Sequence, residues 1–173
     1  MKKLLVSFAA LTVVGACATA PAFADDYVAP PVGVSLRLGG FAPSATDTTH
    51  NSGTSWLAAG FDYKMAGLHY SKLPKGYFSV SIDYAGKGQY RSAPLLLNYT
   101  MGKTVYLSLG GGVNFARFPQ DDGVVNDKIR FAYSGALGVN FANGQIPLFC
   151  EVRYFGCENN RVGGTAVYVG GRF

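Results

Sequence analysis

From Pro31 to the C-terminus, apolar residues alternate with small or polar ones, and the alternation breaks only at short polar, Gly-containing stretches. A period of two marks a strand with two unlike faces, whereas a helix would repeat every 3.6 residues. The pattern predicts eight strands, near 32–41, 55–65, 77–84, 93–101, 104–117, 129–141, 147–155 and 164–173, and no helix. One register is bulky and uncharged: Leu36, Leu38, Phe61, Ile82, Leu95, Leu97, Leu107, Leu109, Leu137 and Val152 belong to it. The other is small and polar, and it carries the mid-strand charges.

Which register faces inward decides the class. In a water-soluble barrel the large apolar groups fill the lumen. An eight-stranded lumen has room only for side chains, and Gly, Ala and Ser fit it more easily than the bulky register does. A lysine or arginine facing lipid at mid-depth costs about 2–4 kcal/mol, and no such residue interrupts the apolar register; Arg117 enters it only at a strand end. The prediction is therefore an all-β, eight-stranded, antiparallel, up-and-down transmembrane barrel, apolar outside and polar inside. A lumen charge network follows, in which Arg37, Lys64, Arg130, Arg153 and Arg172 pair with Asp62, Asp83 and Glu151. The last strand closes on the first and removes the sheet edges.

Aromatic positions add an axis. In the outward register Tyr63, Phe78, Tyr99, Phe141 and Phe173 fall at one end of their strands, and Tyr84, Phe115, Phe131 and Tyr154 at the other. Amphipathic rings settle at membrane–water interfaces, so two girdles around an aliphatic band are expected of a membrane barrel. With both termini periplasmic, the outer loops are 42–54, 85–92, 118–128 and 156–163. The inner turns at Gly102-Lys103 and 142–146 are short, as such barrels require. The connector at 66–76 is longer than that rule wants.

The first residues say how the chain travels. Lys2 and Lys3, an apolar run from Leu4 to Val14, and Ala22-Phe23-Ala24 make the three regions of a secretory signal peptide, removed before Asp25. The run is too short to cross a bilayer as a helix, which needs about 20 apolar residues. Val14-Gly15-Ala16-Cys17 offers a competing lipoprotein-type site, with Leu absent from its usual place. Cleavage after Ala24 takes 24 of 173 residues and leaves 149. The domains are then a signal peptide at 1–24, a short lead at 25–30 and one barrel at 31–173.

Composition agrees. Charged residues make up 14% of the chain, against about 25% in soluble domains, while 23 Gly, 11 Tyr and 12 Phe are present. Losing Lys2 and Lys3 lowers the basic count from 15 to 13 against 10 acids, so net charge falls from +5 to +3. That is too mild to imply nucleic acid. Cys150 and Cys157 would lie about 23 Å apart along one strand, beyond the ~7 Å that a disulfide allows, so free thiols are expected.

Val167-Tyr168-Val169-Gly170-Gly171-Arg172-Phe173 resembles the closing strand of bacterial outer-membrane barrels, which end in Phe with apolar residues at alternate positions before it. Val167, Val169 and Phe173 match; Gly171 stands where an aromatic is common. With the signal peptide, the chain resembles the small outer-membrane β-barrel proteins of the opacity-protein and OmpA-like kind. The resemblance implies the outer membrane of a Gram-negative-type bacterium, recognition of Phe173 by the barrel-assembly machinery, contact with outer-membrane lipids, and no cofactor. It brings no catalytic motif.

Candidate chemistry is sparse. His69-Tyr70-Ser71 places a base and a hydroxyl on one strand face, as in outer-membrane lipid A deacylases. Its place in a periplasmic connector and the lack of an evident orienting acid argue against that use. Gly110-Gly111-Gly112 precedes no helix and is no phosphate loop. Asp121, Asp122 and Asp127 form an acidic loop that reads as solvated rather than metal-binding. The expectation is a non-enzymatic barrel with a structural or surface-interaction role. Its alternatives are a porin-like narrow channel or small-molecule carrier, a lipid A-modifying enzyme, and a soluble periplasmic barrel.

Overall fold

The computed structural model describes residues 33–65, 76–119, 124–141, 147–158 and 160–173. Eight antiparallel strands in chain order form one closed barrel. They are β1 (Gly33–Pro43), β2 (Trp56–Lys64), β3 (Gly76–Lys87), β4 (Tyr90–Gly102), β5 (Val105–Pro119), β6 (Val125–Asn140), β7 (Leu148–Cys157) and β8 (Gly164–Arg172). Closure runs from Ser35 opposite Arg172 to Pro43 opposite Gly164. Two further backbone bonds secure its end, as Val34 N–H donates to the Phe173 carbonyl at 2.9 Å and Phe173 N–H donates to Val34 at 2.7 Å. Every strand thus has two neighbours, and the unpaired backbone of an open sheet is satisfied along the seam.

Side chains alternate across the wall as the pleat requires. Leu36, Leu38, Ile82, Leu97, Leu109, Leu137 and Val169 face outward and are exposed. Arg37, Asp83, Asn98, Glu151 and Arg153 face inward and are buried. Cys150 and Cys157 are unbridged, and their odd spacing sets them on opposite faces of β7. Among the described residues no helix is long and apolar enough to cross a membrane, which says nothing of a barrel.

Three expectations need correction. First, a seven-residue helix, α1 (Thr46–Ser52), occupies the loop after β1, and a short 3₁₀ turn (Asn160–Val162) follows β7. The helix has no apolar stripe. Local bonds and docking hold it: Thr49 Oγ1 donates to the Ala45 carbonyl, Ser52 Oγ to the Thr48 carbonyl, and buried Thr48 to the Arg161 carbonyl at 2.6 Å.

Second, the loops expected at 85–92 and 118–128 are largely strand. Alternation continues into their described residues, with Ala85, Tyr90, Ser92 and Phe118 buried on the inner face. Gly88-Gln89 alone turns β3 into β4, with Gly88 at φ 62, which a two-residue hairpin needs and a side chain resists. Third, the lumen is not small. Phe41, Trp56, Tyr90, Tyr106, Phe118, Phe149, Phe155 and Tyr168 all project into it. Glycines on the facing strands make the room. A Cβ at Gly138 would strike the Tyr106 ring, one at Gly170 the Phe149 ring, and one at Gly164 the Phe41 ring.

Candidate functional site

The lumen is layered from the end bearing the termini to the end bearing α1. At the terminal end Arg172 lies 4.9 Å from both the Tyr106 and Phe149 ring centroids and donates to Tyr77 Oη at 3.0 Å. Lys64 sits 4.7 Å over the Tyr77 ring. A cation on a ring face gains from the ring quadrupole and keeps its edge free for hydrogen bonds.

The middle layer is ionic. Arg37, 2% exposed, grips Asp83 with Nη2 at 2.8 Å to both carboxylate oxygens and Nε at 3.0 Å to one. It also meets Asp62 through Nη1. Arg153 bridges Asp83 at 3.6 Å and Glu151 at 2.7 Å, and Tyr106 Oη donates to Glu151 at 3.0 Å. Asp83 therefore serves two guanidiniums. Buried charges persist only when paired and hydrogen-bonded, and a planar guanidinium suits the two-oxygen grip. Gly60 makes room for it, because a Cβ there would collide with Asp83 Oδ1 and Arg37 Nε.

On the β3–β6 side the layer is neutral. Asn98 donates to Ser81 at 2.7 Å, Asn114 to Ser92 at 2.9 Å and Thr100 to Ser108 at 2.9 Å. Above it the aromatics form a plug, in which Phe41 and Trp56 approach to 5.2 Å and Trp56 and Tyr90 to 6.1 Å between ring centroids. The helix and the 3₁₀ turn close over this plug. Trp56 Nε1 donates to Ser52 at 3.1 Å, Asn51 to Tyr90 Oη at 3.4 Å, and Arg161 to the Pro119 carbonyl at 3.1 Å. Val162 is wholly buried beneath.

The residues predicted from sequence therefore separate into groups. Arg37, Asp62, Asp83, Glu151 and Arg153 come together in one network, while Lys64 and Arg172 stack on rings nearer the terminal end. Arg130 lies apart, at the α1 end, 3.6 Å from Glu158. Tyr63, Tyr84, Phe115, Phe131, Tyr154 and Phe173 lie exposed on the outer wall, and Phe78, Tyr99 and Phe141 are half-buried there, with Phe78 and Tyr99 in ring contact at 4.9 Å. Val167 and Val169 share that wall in β8.

His69, Ser71, Asp121, Asp122, the signal peptide and Cys17 lie outside the described residues. Asp127 is described, 3.9 Å from Arg117. Sequence reasoning missed the aromatic plug and its lid. Its signal was the rings that stand in the polar register, such as Trp56 beside the small Ala58 and Gly60 of β2.

Together these surfaces define a class: an inside-out, eight-stranded, antiparallel up-and-down barrel with a filled lumen. The outer membrane protein Ail of Yersinia pestis, whose backbone structure was determined in a phospholipid bilayer nanodisc, is similar at 14% identity and a TM-score of 0.49, over 82% of this chain and 99% of that one. No protein-family model and no curated protein matches the sequence.

Proposed function

We propose that the protein is a non-enzymatic, non-conducting outer-membrane barrel. It serves envelope structure or surface interaction through the segments at its α1 end. The observation that carries this reading is the sorting of charge. The outer wall is aliphatic through its middle, with Leu97 50% exposed, while Arg37, Asp83, Glu151 and Arg153 are buried in the lumen. Water gives no reason for that arrangement, and hydrocarbon does.

In this reading the leader ending at Ala24 is removed on export, and both termini are periplasmic. Tyr63, Phe78, Tyr99, Phe141 and Phe173 form the periplasmic girdle and Tyr84, Phe115, Phe131 and Tyr154 the outer one. Val167, Val169 and Phe173 are the signal read by the barrel-assembly machinery. The lumen rings, the ionic layer and the lid support a structural role over that of a porin-like channel, since they occupy the volume a permeant would need.

Reconstituted into phospholipid vesicles, the mature protein should stay in the pellet through an alkaline carbonate wash and leave the vesicles tight to small ions. Release by the wash would overturn membrane insertion. Ion leakage from vesicles holding the folded, heat-modifiable form would overturn the closed lumen.

A further inference from the structure

The outer wall carries three charged side chains among its described strands, and they are neighbours. Arg91 on β4 stands opposite Arg117 on β5, and Arg117 stands opposite Asp127 on β6, in one row near the α1 end. Arg91's other cross-strand neighbour is Gly86, so no acid flanks it across the ladder. Like charges directly opposed across strands are destabilising. Asp127 relieves only part of this, at 3.9 Å from Arg117 and with its own side chain 80% exposed.

The row lines an open recess of about 600 Å³. Two cations, Arg91 and Arg117, meet one carboxylate there, so the recess is net positive by one. Its remaining wall is apolar, with Tyr84, Phe115 and Ile129 directly beneath the row. Below them the wall continues into the aliphatic surface of Leu95 and Val113, which are paired across β4 and β5.

We propose that this recess seats the phosphorylated head group of a membrane lipid, whose acyl chains run down the aliphatic wall. The inference rests on the reading that this wall faces lipid. Two opposed guanidiniums suit a phosphate, which accepts paired N–H bonds from each and cancels their repulsion. A soluble anion would gain the charge but leave Tyr84, Phe115 and Ile129 uncovered. An uncharged lipid would cover the rings but leave the arginines opposed. A ligand both anionic and amphipathic satisfies the whole surface, and the position at the rim matches the depth of a head group.

The test uses the folded protein in phosphatidylcholine nanodiscs containing a minor fraction of phosphatidic acid, with the lipids retained on release counted by native mass spectrometry. Wild type should retain phosphatidic acid about tenfold above its share, the size of one strong charged contact. Arg91→Gln with Arg117→Gln should bring retention down to that share, and Asp127→Asn should raise it above wild type. Folding of each variant is read from its heat-dependent gel mobility, and Arg91→Gln alone serves if the double variant does not fold.

Retention at the bulk share by wild type, or retention unchanged in the arginine variants, would overturn the proposal while leaving the barrel's insertion intact. Full displacement by millimolar inorganic phosphate would assign the recess to a free anion and overturn the lipid. Failure of wild type to enter the discs would remove the underlying membrane reading, and this proposal with it.

Discussion

Asp83→Ala is expected to cost about 3–5 kcal/mol of unfolding free energy, measured by denaturant titration of the barrel folded into vesicles. The figure is that of breaking a buried ion pair by removing one partner, which strands the other in a medium unable to solvate it. Here the removal takes a partner from two buried groups at once, because Asp83 receives Arg37 in a two-oxygen grip and also faces Arg153. It leaves Arg37 with Asp62 and Arg153 with Glu151. Asp62→Ala should cost less. Its carboxylate keeps 15% of its surface exposed in its ion pair with Arg37, and Arg37 retains Asp83 in that variant. Asp83→Asn should fall between the two, since it keeps the shape and some hydrogen bonds while losing the charge. Equal costs for Asp83→Ala and Asp62→Ala would mean that water reaches the layer and screens both pairs.

The second large effect is on the other face. Leu97→Arg should destabilise the vesicle-inserted barrel by about 2–4 kcal/mol, because it places a guanidinium against hydrocarbon near mid-depth. Leu57→Arg, on the same wall but opposite Gly40 and Gly86 near the α1 end, should cost about 0–1 kcal/mol, as expected at an interface. Leu57 is the more exposed of the two, at 75% against 50%. Burial alone therefore ranks them no differently from two harmless surface changes, and only lipid on the wall predicts the large difference. Both variants near zero would point to water there.

Strand number, face assignment and closure were legible because the two faces of each strand differ in both size and charge. Shifting any strand by one residue would have set Arg37 or Glu151 on the wall and Leu36 or Val152 in the lumen. The ionic layer was legible for the same reason, down to its members, but not its partition. Nothing in the spacing of Arg130 shows that β6 runs on to Val125 and sets that residue beside Glu158 rather than Glu151.

The aromatic plug was harder to read. Its rings fit only because glycines on adjacent strands, such as Gly138 against Tyr106, leave their own sites empty, and which glycine meets which ring depends on register. Helix α1 left no trace, since a two-turn Thr- and Ser-rich segment held by Thr48 on Arg161 has neither apolar period nor strong propensity. The charged row was hidden because Arg91 and Asp127 fell in segments that looked like loops, which left Arg117 by itself at a strand end.

The central claim is that the aliphatic wall meets lipid, and oxygen accessibility at Leu97 tests it most directly. A nitroxide attached through Leu97→Cys, with Cys150 and Cys157 replaced by alanine, is placed in the vesicle-inserted barrel. Its collision rates with molecular oxygen and with a water-soluble nickel complex are then read by electron paramagnetic resonance. Frequent collisions with oxygen and rare ones with nickel are predicted, as for a probe in hydrocarbon; nickel collisions at the rate of a water-exposed site would contradict the account.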